Sequence, residues 1–271
     1  MKAFKTLLFV LVLIASTQEV KSDVFMTYNV KGSQYDSSKK QSNIEKIISS
    51  INPDVVAVQE VWSSGKIDDA ASSLGYKYQF LSVKSSILGN YGIALMYKET
   101  PVKITTKTFE THSTNELEDP KRGIIIAEFT DYVFMCTHFG LETNDRMEMA
   151  NWIADYAQKS SKAVFIAGDF NETITGGAID YLFGYGFYML NSPSTYSYPS
   201  DSPTKTIDMI LAYNRNIGKM LQFSFSNATQ VDFSALGITA SNVSDHLPVV
   251  ATITRRDDQN QFSIQSDIEL Q

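Results

Sequence analysis

The sequence predicts a protein of the α/β or α+β class, with strands and helices arranged in layers. Two observations indicate this class. Strongly apolar runs typical of buried strands recur along the chain, and segments with helical spacing of apolar residues separate several of them. Strands alternate with helices early and cluster later, which favours layered mixed sheets over one purely parallel sheet. No repeat, linker or low-complexity block divides the 271 residues, so one domain is the simplest interpretation.

The individual elements follow from apolar patterning in chain order. Residues 24–29 (VFMTYN) read as a strand, and the isoleucines at 44, 47, 48 and 51 share one helical face. Asn52 and Pro53 end that helix, and residues 54–62 (DVVAVQEVW) form the next buried strand. A helix with Met149, Ile153 and Tyr156 on one face precedes a strand that begins at Ala163. Further strands are predicted at 92–97, 123–129, 132–139, 206–213 and 247–254.

The N-terminal segment differs from the rest of the chain. Lys2 and Lys5 precede the apolar run of residues 6–15, and a polar stretch follows. Because a membrane span needs about 20 apolar residues, residues 1–22 are predicted to be a cleaved secretory signal peptide, with an uncleaved anchor as the alternative. The domain is then expected at 23–255, with a polar tail at 256–271. We expect a secreted monomer without a stable membrane span.

Charge and cysteine content narrow the function classes. Residues 1–22 contain three of the 23 basic and one of the 30 acidic side chains, so their removal leaves a net charge of −9. Such a balance disfavours nucleic acid as the main partner, although a local basic groove is compatible with it. The single Cys136 cannot form an internal disulfide, and its apolar surroundings (YVFMCTHF) favour an inert buried thiol over a nucleophile.

Polar side chains stand at the ends of most of the predicted strands. Taken one at a time, they read as turn residues, solvated carboxylates or structural histidines. Together they include two of the three histidines of the chain, and strand ends on one edge of a layered sheet would bring them into one cleft. The group comprises Asn29, Glu60, His138, Asp169, Asn171, Asp208, Asp245 and His246.

The chemistry of this group points to a phosphoester. Carboxylate and amide oxygens without cysteine suit a hard cation, Mg²⁺ with Mn²⁺ as the alternative, rather than structural zinc. Two imidazoles beside carboxylates suit proton transfer and stabilisation of an anionic reacting centre. We therefore predict metal-assisted attack of water on a phosphoester.

Six blocks of the chain resemble one family. MTYNV, VVAVQEVW, CTHFG, AGDFNET, TIDMIL and SDHLPVV, in this order, are similar to the signature blocks of the endonuclease/exonuclease/phosphatase superfamily, to which deoxyribonuclease I belongs. GDFN and SDHLPV together are highly specific for it. The resemblance covers residues 24–253 and implies a four-layered sandwich, in which two packed β-sheets are flanked by helices.

The resemblance also implies a metal site and a base. Glu60, with Asn29 and Asp245, would hold the divalent cation. Asp169 would orient or deprotonate the attacking water, and Asn171 would donate a hydrogen bond to a phosphoryl oxygen.

The remaining roles fall to two histidines and their neighbours. His246, held in one tautomer by Asp208, would stabilise the transition state and share in proton transfer. His138 would donate to a phosphate oxygen or to the leaving group. Arg122 either reaches a phosphate or is a solvated residue at a strand end, and both interpretations stay open.

The expected function is that of a secreted, Mg²⁺-dependent phosphoesterase, with a diester favoured over a monoester as substrate. A secreted nuclease and a sphingomyelinase-like phospholipid phosphodiesterase are the enzymatic alternatives. A catalytically inactive binding module on the same scaffold is the alternative from another class; it predicts decay among the site residues, yet all eight are present.

Overall fold

The computed structural model describes residues 20–33, 36–62, 64–86, 89–112, 121–213, 223–225, 231–256 and 261–263. The strands are β1 (Val20–Asn29), β2 (Val55–Trp62), β3 (Lys77–Ser86), β4 (Gly89–Tyr97), β5 (Lys103–Phe109), β6 (Arg122–Glu128), β7 (Tyr132–His138), β8 (Ala163–Asp169), β9 (Phe187–Met189), β10 (Asp208–Tyr213), β11 (Phe223–Phe225), β12 (Val249–Arg256) and β13 (Gln261–Ser263). The helices are α1 (Ser38–Ile51), α2 (Ser64–Leu74), α3 (Thr143–Lys159) and α4 (Gly177–Gly184), with a short 3₁₀ helix at Ala240–Asn242.

Each strand and helix expected from the apolar pattern is present, with ends shifted by a few residues. α1 begins where the Ser37 side chain accepts a hydrogen bond from the Lys40 backbone N–H at 3.2 Å. It ends at Asn52, which adopts a left-handed conformation with φ of 51°. The pattern missed short or polar elements such as β5 (KITTKTF), where most side chains are exposed, and the three-residue β9.

The strands form two mixed sheets. The first has the order β11-β12-β1-β2-β4-β3, with β13 also paired to β12, and the second has the order β5-β6-β7-β8-β10-β9. Each sheet contains one parallel pair, β1 with β2 and β7 with β8, and α1 or α3 provides the crossover between its members. All other pairings are antiparallel.

Three apolar cores hold four layers together. The central core lies between the sheets, where the Phe25 ring packs edge-on against Phe134 and Phe165 at centroid distances of 4.8 and 5.1 Å. A second core joins the second sheet to α3 and α4, and a third joins the first sheet to α1 and α2. The predicted four-layered sandwich, helices outside and two β-sheets inside, is confirmed.

The predicted domain limits stay predictions. Residues 1–19 of the expected signal peptide lie outside the described residues, and β1 already begins at Val20, where residues 20–22 pair with residues 254–256 of β12. The segment expected as a polar tail contains β13. Among the helices of the described residues, none is long and apolar enough to cross a membrane.

His112, the remaining histidine of the chain, follows the edge strand β5 of the second sheet and contacts α3. The backbone N–H of His112 donates to both carboxylate oxygens of Asp145, at 3.0 and 3.2 Å, and the His112 ring also contacts this carboxylate. Asp145 is buried in the first turn of α3, while the His112 side chain is largely exposed. The Asp145 carboxylate, helped by Glu148 and Glu142, raises the pKa of His112.

We predict that this contact makes part of the protein's stability pH-dependent. A histidine whose pKa is raised by folding stabilises the folded state fully below its ordinary pKa of about 6.5, and loses that effect as pH rises through the folded-state pKa. His112→Gln should therefore lower the free energy of unfolding at pH 5.5 and have little effect at pH 9. Urea titrations at both pH values measure this, and an equal loss at both would contradict an ionic contribution.

Candidate active site

Strand alternation brings four of the predicted site residues to one end of the space between the sheets. Asn29 lies on the same face of β1 as Phe25 of the central core, because side chains two and four apart share a face. His138 is the register partner of Asp169 across the parallel pair β7–β8, and Asp169 is the partner of Asp208 across β8–β10. These three side chains therefore form a row on the inner face of the second sheet.

Glu60 reaches the cleft through a backbone irregularity. Its neighbour Gln59 is fully buried in the interior, so regular alternation would turn Glu60 toward the helices. A β-bulge interrupts the pairing of β2 with β4 between Val58 and Val61, and Glu60 adopts a positive φ of 57°. The N–H of Gly32 donates to the Glu60 backbone oxygen at 2.9 Å and holds this turn.

Asn29 links the two carboxylates at the centre of the site. Its Nδ2 donates to Glu60 Oε1 at 2.9 Å and to Asp169 Oδ2 at 3.0 Å. Its Oδ1 accepts the backbone N–H of Lys31 at 2.9 Å, which fixes the orientation of the amide. The other oxygen of Asp169 accepts the backbone N–H of Asn171 at 2.8 Å. Asn171 makes this contact in a left-handed conformation with φ of 50°.

Asp169 is a buried carboxylate suited to act as a base. Burial and the nearby Asp208 charge raise its pKa to about 7, although His246 and the hydrogen bonds from Asn171 and Asn29 act in the opposite direction. A general base works best when its pKa lies near the working pH. Asp169, the aspartate of the AGDFNET block, can thus take up a proton at neutral pH.

His246 is held as a cation by a second carboxylate. Its Nδ1 lies 2.8 Å from Asp208 Oδ2, its backbone N–H donates to Ser244 Oγ at 3.1 Å, and the Tyr198 ring packs against it at 4.9 Å. Burial by itself would lower the pKa of His246, but the Asp208 carboxylate, together with Asp169 and Asp245, outweighs burial and raises it to about 10. Its Nε2 lies 3.6 Å from Asp169 Oδ2. The ring therefore carries a proton into the cleft at neutral pH.

His138 has the opposite electrostatic environment. Its Nδ1 lies 3.4 Å from Nη1 of Arg122, and its Nε2 lies 3.1 Å from Asn171 Nδ2 and 3.6 Å from Asp169 Oδ2. Burial, the Arg122 charge and the His246 charge lower its pKa well below the ordinary value. His138 is accordingly neutral where His246 is charged.

The site offers oxygen ligands for a cation. Ligand atoms of Glu60, His138 and Asp169 lie within 4.8 Å of one another, and so do those of Asp169, Asp208 and His246. The hydrogen bond between Asp208 and His246 explains why the group that contains them is close together. The group of Glu60, His138 and Asp169 brings two carboxylates together beside the cleft. These oxygen donors suit Mg²⁺ or Mn²⁺.

Asp245 lies at the rim of the site. Its side chain is one-third exposed; Oδ2 pairs with Lys31 Nζ at 2.7 Å, and Oδ1 lies 4.0 Å from His246 Nε2. The structure thus brings all eight predicted residues into one cleft. Glu60 and Asn29 are in direct contact, and Asp245 approaches from the side of His246. The ligand set of Asn29, Glu60 and Asp245 stays a prediction.

Sequence reasoning missed Lys31 and Tyr198 of the site and left the role of Arg122 open. Lys31, two positions after Asn29, has a positive φ of 44°, and its Nζ donates to Asp245 Oδ2 at 2.7 Å. Tyr198 covers His246 from the loop before β10, where only its place before the TIDMIL block could have drawn attention to it. Arg122, left open between two roles, has only 3% of its surface exposed and contacts a histidine, so the interpretation as a solvated residue is wrong.

Comparison with known families decides the classification. The sequence matches the endonuclease/exonuclease/phosphatase family over residues 26–246. This chain belongs to that family. Among curated proteins, none matches the sequence significantly.

Solved structures of the endonuclease/exonuclease/phosphatase family share the fold. A family member from Bacteroides thetaiotaomicron has a TM-score of 0.71 at 15% identity, covering 90% of this chain and 99% of its own. The mannosyl-6-phosphatase of the same organism has a TM-score of 0.62 at 15% identity, covering 85% of this chain and 98% of its own. ANGEL2, a 2′,3′-cyclic phosphatase in complex with adenosine-2′,3′-vanadate, has a TM-score of 0.61 at 15% identity, covering 88% of this chain and 98% of its own. With its family and site chemistry, this chain is a hydrolase of phosphoric esters.

We predict that Gly32→Ala disturbs the endonuclease/exonuclease/phosphatase site. A Cβ at this position would lie 2.1 Å from the Glu60 backbone oxygen, which cannot move without shifting Glu60 itself. Overpacking of this kind costs about 1–3 kcal/mol, and we expect a lower melting temperature in calorimetry together with a lower kcat. Gly184→Ala is the matched control because a Cβ there meets nothing within 4 Å. Equal effects of both substitutions would contradict the expectation.

We predict that Asp208→Asn removes the charge that keeps His246 protonated. The substitution preserves shape, so the fold should persist while the pKa of His246 falls below about 10. General acid–base assistance is worth roughly 10²- to 10⁴-fold in rate, and kcat should fall within that range. Histidine NMR titration measures the pKa, and an unchanged value would show that Asp208 does not set the charge of His246.

Proposed function

We propose that this protein is a secreted, monomeric, Mg²⁺-dependent phosphodiesterase that hydrolyses its substrate by attack of water. The observation that carries the proposal is the buried Asp169, whose carboxylate lies 3.6 Å from both His138 Nε2 and His246 Nε2 and accepts a hydrogen bond from Asn29. A base between two imidazoles of opposite charge state, beside oxygen ligands for a cation, matches the needs of water-mediated phosphoryl transfer.

Glu60, with Asn29 and Asp245, would hold the cation. The Glu60 and Asp245 carboxylates fit a hard divalent ion because carboxylate oxygens are among its preferred ligands, and Asn29, whose Nδ2 donates to Glu60, would orient that carboxylate. When bound, Mg²⁺ polarises phosphoryl oxygens and offsets their negative charge.

The chain's own residues carry the proton transfers. Asp169 accepts the proton of the attacking water as the new oxygen–phosphorus bond forms. His246 stabilises the charge that develops on phosphorus-bound oxygen and gives its Nε2 proton to the leaving oxygen as that bond breaks. Asn171 and His138 lie on the other side of Asp169 and bind a phosphoryl oxygen.

The charge balance of the cleft favours a diester. Four acidic and three cationic side chains leave one negative charge, and the two positive charges of a bound Mg²⁺ would turn this into one positive charge, which matches a diester monoanion better than a monoester dianion. The acidic residues are Glu60, Asp169, Asp208 and Asp245, and the cationic ones are Lys31, Arg122 and His246.

Secretion and the monomeric state have separate support. The composition of residues 1–22 is that of a signal peptide. Within the described residues, few large apolar side chains are well exposed, which agrees with a monomer; they are Val102, Leu141, Tyr185 and Tyr196.

The test is product release by the purified protein, with its N-terminus established by intact mass. The panel comprises bis-p-nitrophenyl phosphate, p-nitrophenyl phosphate, plasmid and single-stranded DNA, RNA and sphingomyelin vesicles, each with Mg²⁺, Mn²⁺ or EDTA. We expect metal-dependent hydrolysis of a diester that exceeds hydrolysis of the monoester.

Asp169→Asn should lower kcat by roughly 10²- to 10⁴-fold. Asp201→Asn is the matched control because Asp201 is an exposed aspartate in the loop that follows Tyr198. Activity confined to DNA or to sphingomyelin would replace the general proposal by the nuclease or the sphingomyelinase-like alternative. If no substrate of the panel is hydrolysed with either metal, an inactive binding module would be favoured.

A further inference from the structure

Arg122 is a buried cation placed directly behind a histidine of the active site. It begins β6, and its neighbour Gly123 is the register partner of His138. Because a buried charge is costly unless its hydrogen-bonding groups find partners, the contacts of this guanidinium show what it does. One of them is the contact of Nη1 with His138 Nδ1 at 3.4 Å.

Tyr91 approaches the guanidinium from the other sheet. Burial raises the pKa of Tyr91, and the neighbouring Arg122 guanidinium acts in the opposite direction. The Tyr91 ring packs on Trp62 at a centroid distance of 5.5 Å. Tyr91 and Trp62 are register partners across β4 and β2, directly beside the bulge that carries Glu60. Arg122 is thus fixed between a residue of the first sheet and a histidine of the second.

Both ring nitrogens of His138 face donor groups. A guanidinium contains only donors, and Asn171 Nδ2, 3.1 Å from His138 Nε2, also donates to the Phe139 backbone oxygen at 2.9 Å, which fixes the orientation of its amide. An imidazolium would direct two N–H groups at these two donors. The geometry therefore requires a neutral His138, in agreement with its lowered pKa.

The position of the single ring hydrogen follows from the strength of the contacts. A charged donor makes a stronger hydrogen bond than a neutral amide, so the lone pair belongs at Nδ1, facing Arg122. Among the described residues, the carboxylate within 4.0 Å of the ring is on the other side, where Asp169 Oδ2 lies 3.6 Å from Nε2. The hydrogen then resides on Nε2, on the side of Asp169, because a conflict with the neutral Asn171 amide costs less than one with the charged guanidinium.

We propose that Arg122, supported by Tyr91, holds His138 in the neutral tautomer with its hydrogen on Nε2. His138 then binds a phosphoryl oxygen as a neutral hydrogen-bond donor beside the Asn171 amide and does not protonate the leaving group. Arg122 and Tyr91 are positioning residues. The role of His138 toward substrate rests on the proposed hydrolysis, whereas the tautomer does not.

The test is ¹⁵N NMR of the full chain labelled on histidine, with and without Mg²⁺, at one pH near 7. The chain has three histidines, and His112→Gln and His138→Gln variants assign the ring signals. We expect His138 to show a protonated Nε2 and an unprotonated Nδ1. In Arg122→Met the Nδ1 signal should shift toward the protonated position, and kcat should fall about 10- to 100-fold, as is usual for loss of a residue that orients a functional histidine.

Three further variants complete the design. Arg122→Lys keeps a donor and should retain the Nε2–H tautomer, and Tyr91→Phe should shift Nδ1 in the same direction as Arg122→Met but less. Lys121→Met, which removes the exposed neighbouring cation, should change neither signal. Backbone amide spectra establish whether each variant is folded. If Arg122→Met does not fold, the inference is tested by the tautomer of His138 in the wild-type protein and by the shift of its Nδ1 signal in Tyr91→Phe.

A doubly protonated or Nδ1-protonated His138 in the wild-type protein would overturn the inference, and so would unchanged ring signals in folded Arg122→Met. These outcomes are independent of hydrolysis. A protein with the expected tautomer that cleaves no phosphoester would contradict the proposed function and leave the role of Arg122 intact.

Discussion

The site depends on the burial of one carboxylate, Asp169, at the open end of the space between two sheets. Its backbone belongs to β8, and its neighbours on either side are His138, where β7 ends, and Asp208, where β10 begins. Water is largely excluded there, so the charge of Asp169 must be balanced by directed hydrogen bonds. Asn29 supplies one of these bonds from the opposite sheet, which ties the packing of the two layers to the state of the base.

The two histidines of the site differ because their partners differ in sign. Burial lowers the pKa of both rings. The carboxylates around His246, Asp208 above all, outweigh this effect, whereas the Arg122 guanidinium beside His138 adds to it. One fold thereby places a charged and a neutral imidazole at equal distances from a single base. In the proposed mechanism, this difference assigns proton transfer to His246 and substrate binding to His138.

Backbone conformation contributes as much as side-chain identity. Lys31, Glu60 and Asn171 all have positive φ, a conformation that ordinary residues adopt only when surrounding contacts enforce it. The concentration of such residues in one cleft is typical of a functional site. Gly32 is required beside them because its missing side chain lets two backbone segments approach closely.

Apolar periodicity in the sequence predicted most of the strands and the eight polar residues near their ends, and the resemblance of short blocks such as GDFN and SDHLPV predicted the four-layered family fold, because these patterns are local features. The sequence could not determine that Arg122 is buried, that Lys31 pairs with Asp245 or that Tyr198 covers His246. Those contacts join residues from distant segments, and whether a charged strand-end residue meets water or a histidine depends on the packing of the opposite sheet. Tertiary structure alone therefore decided which histidine is charged and where Asp169 titrates, since both follow from burial and from the sign of neighbours far away in the chain.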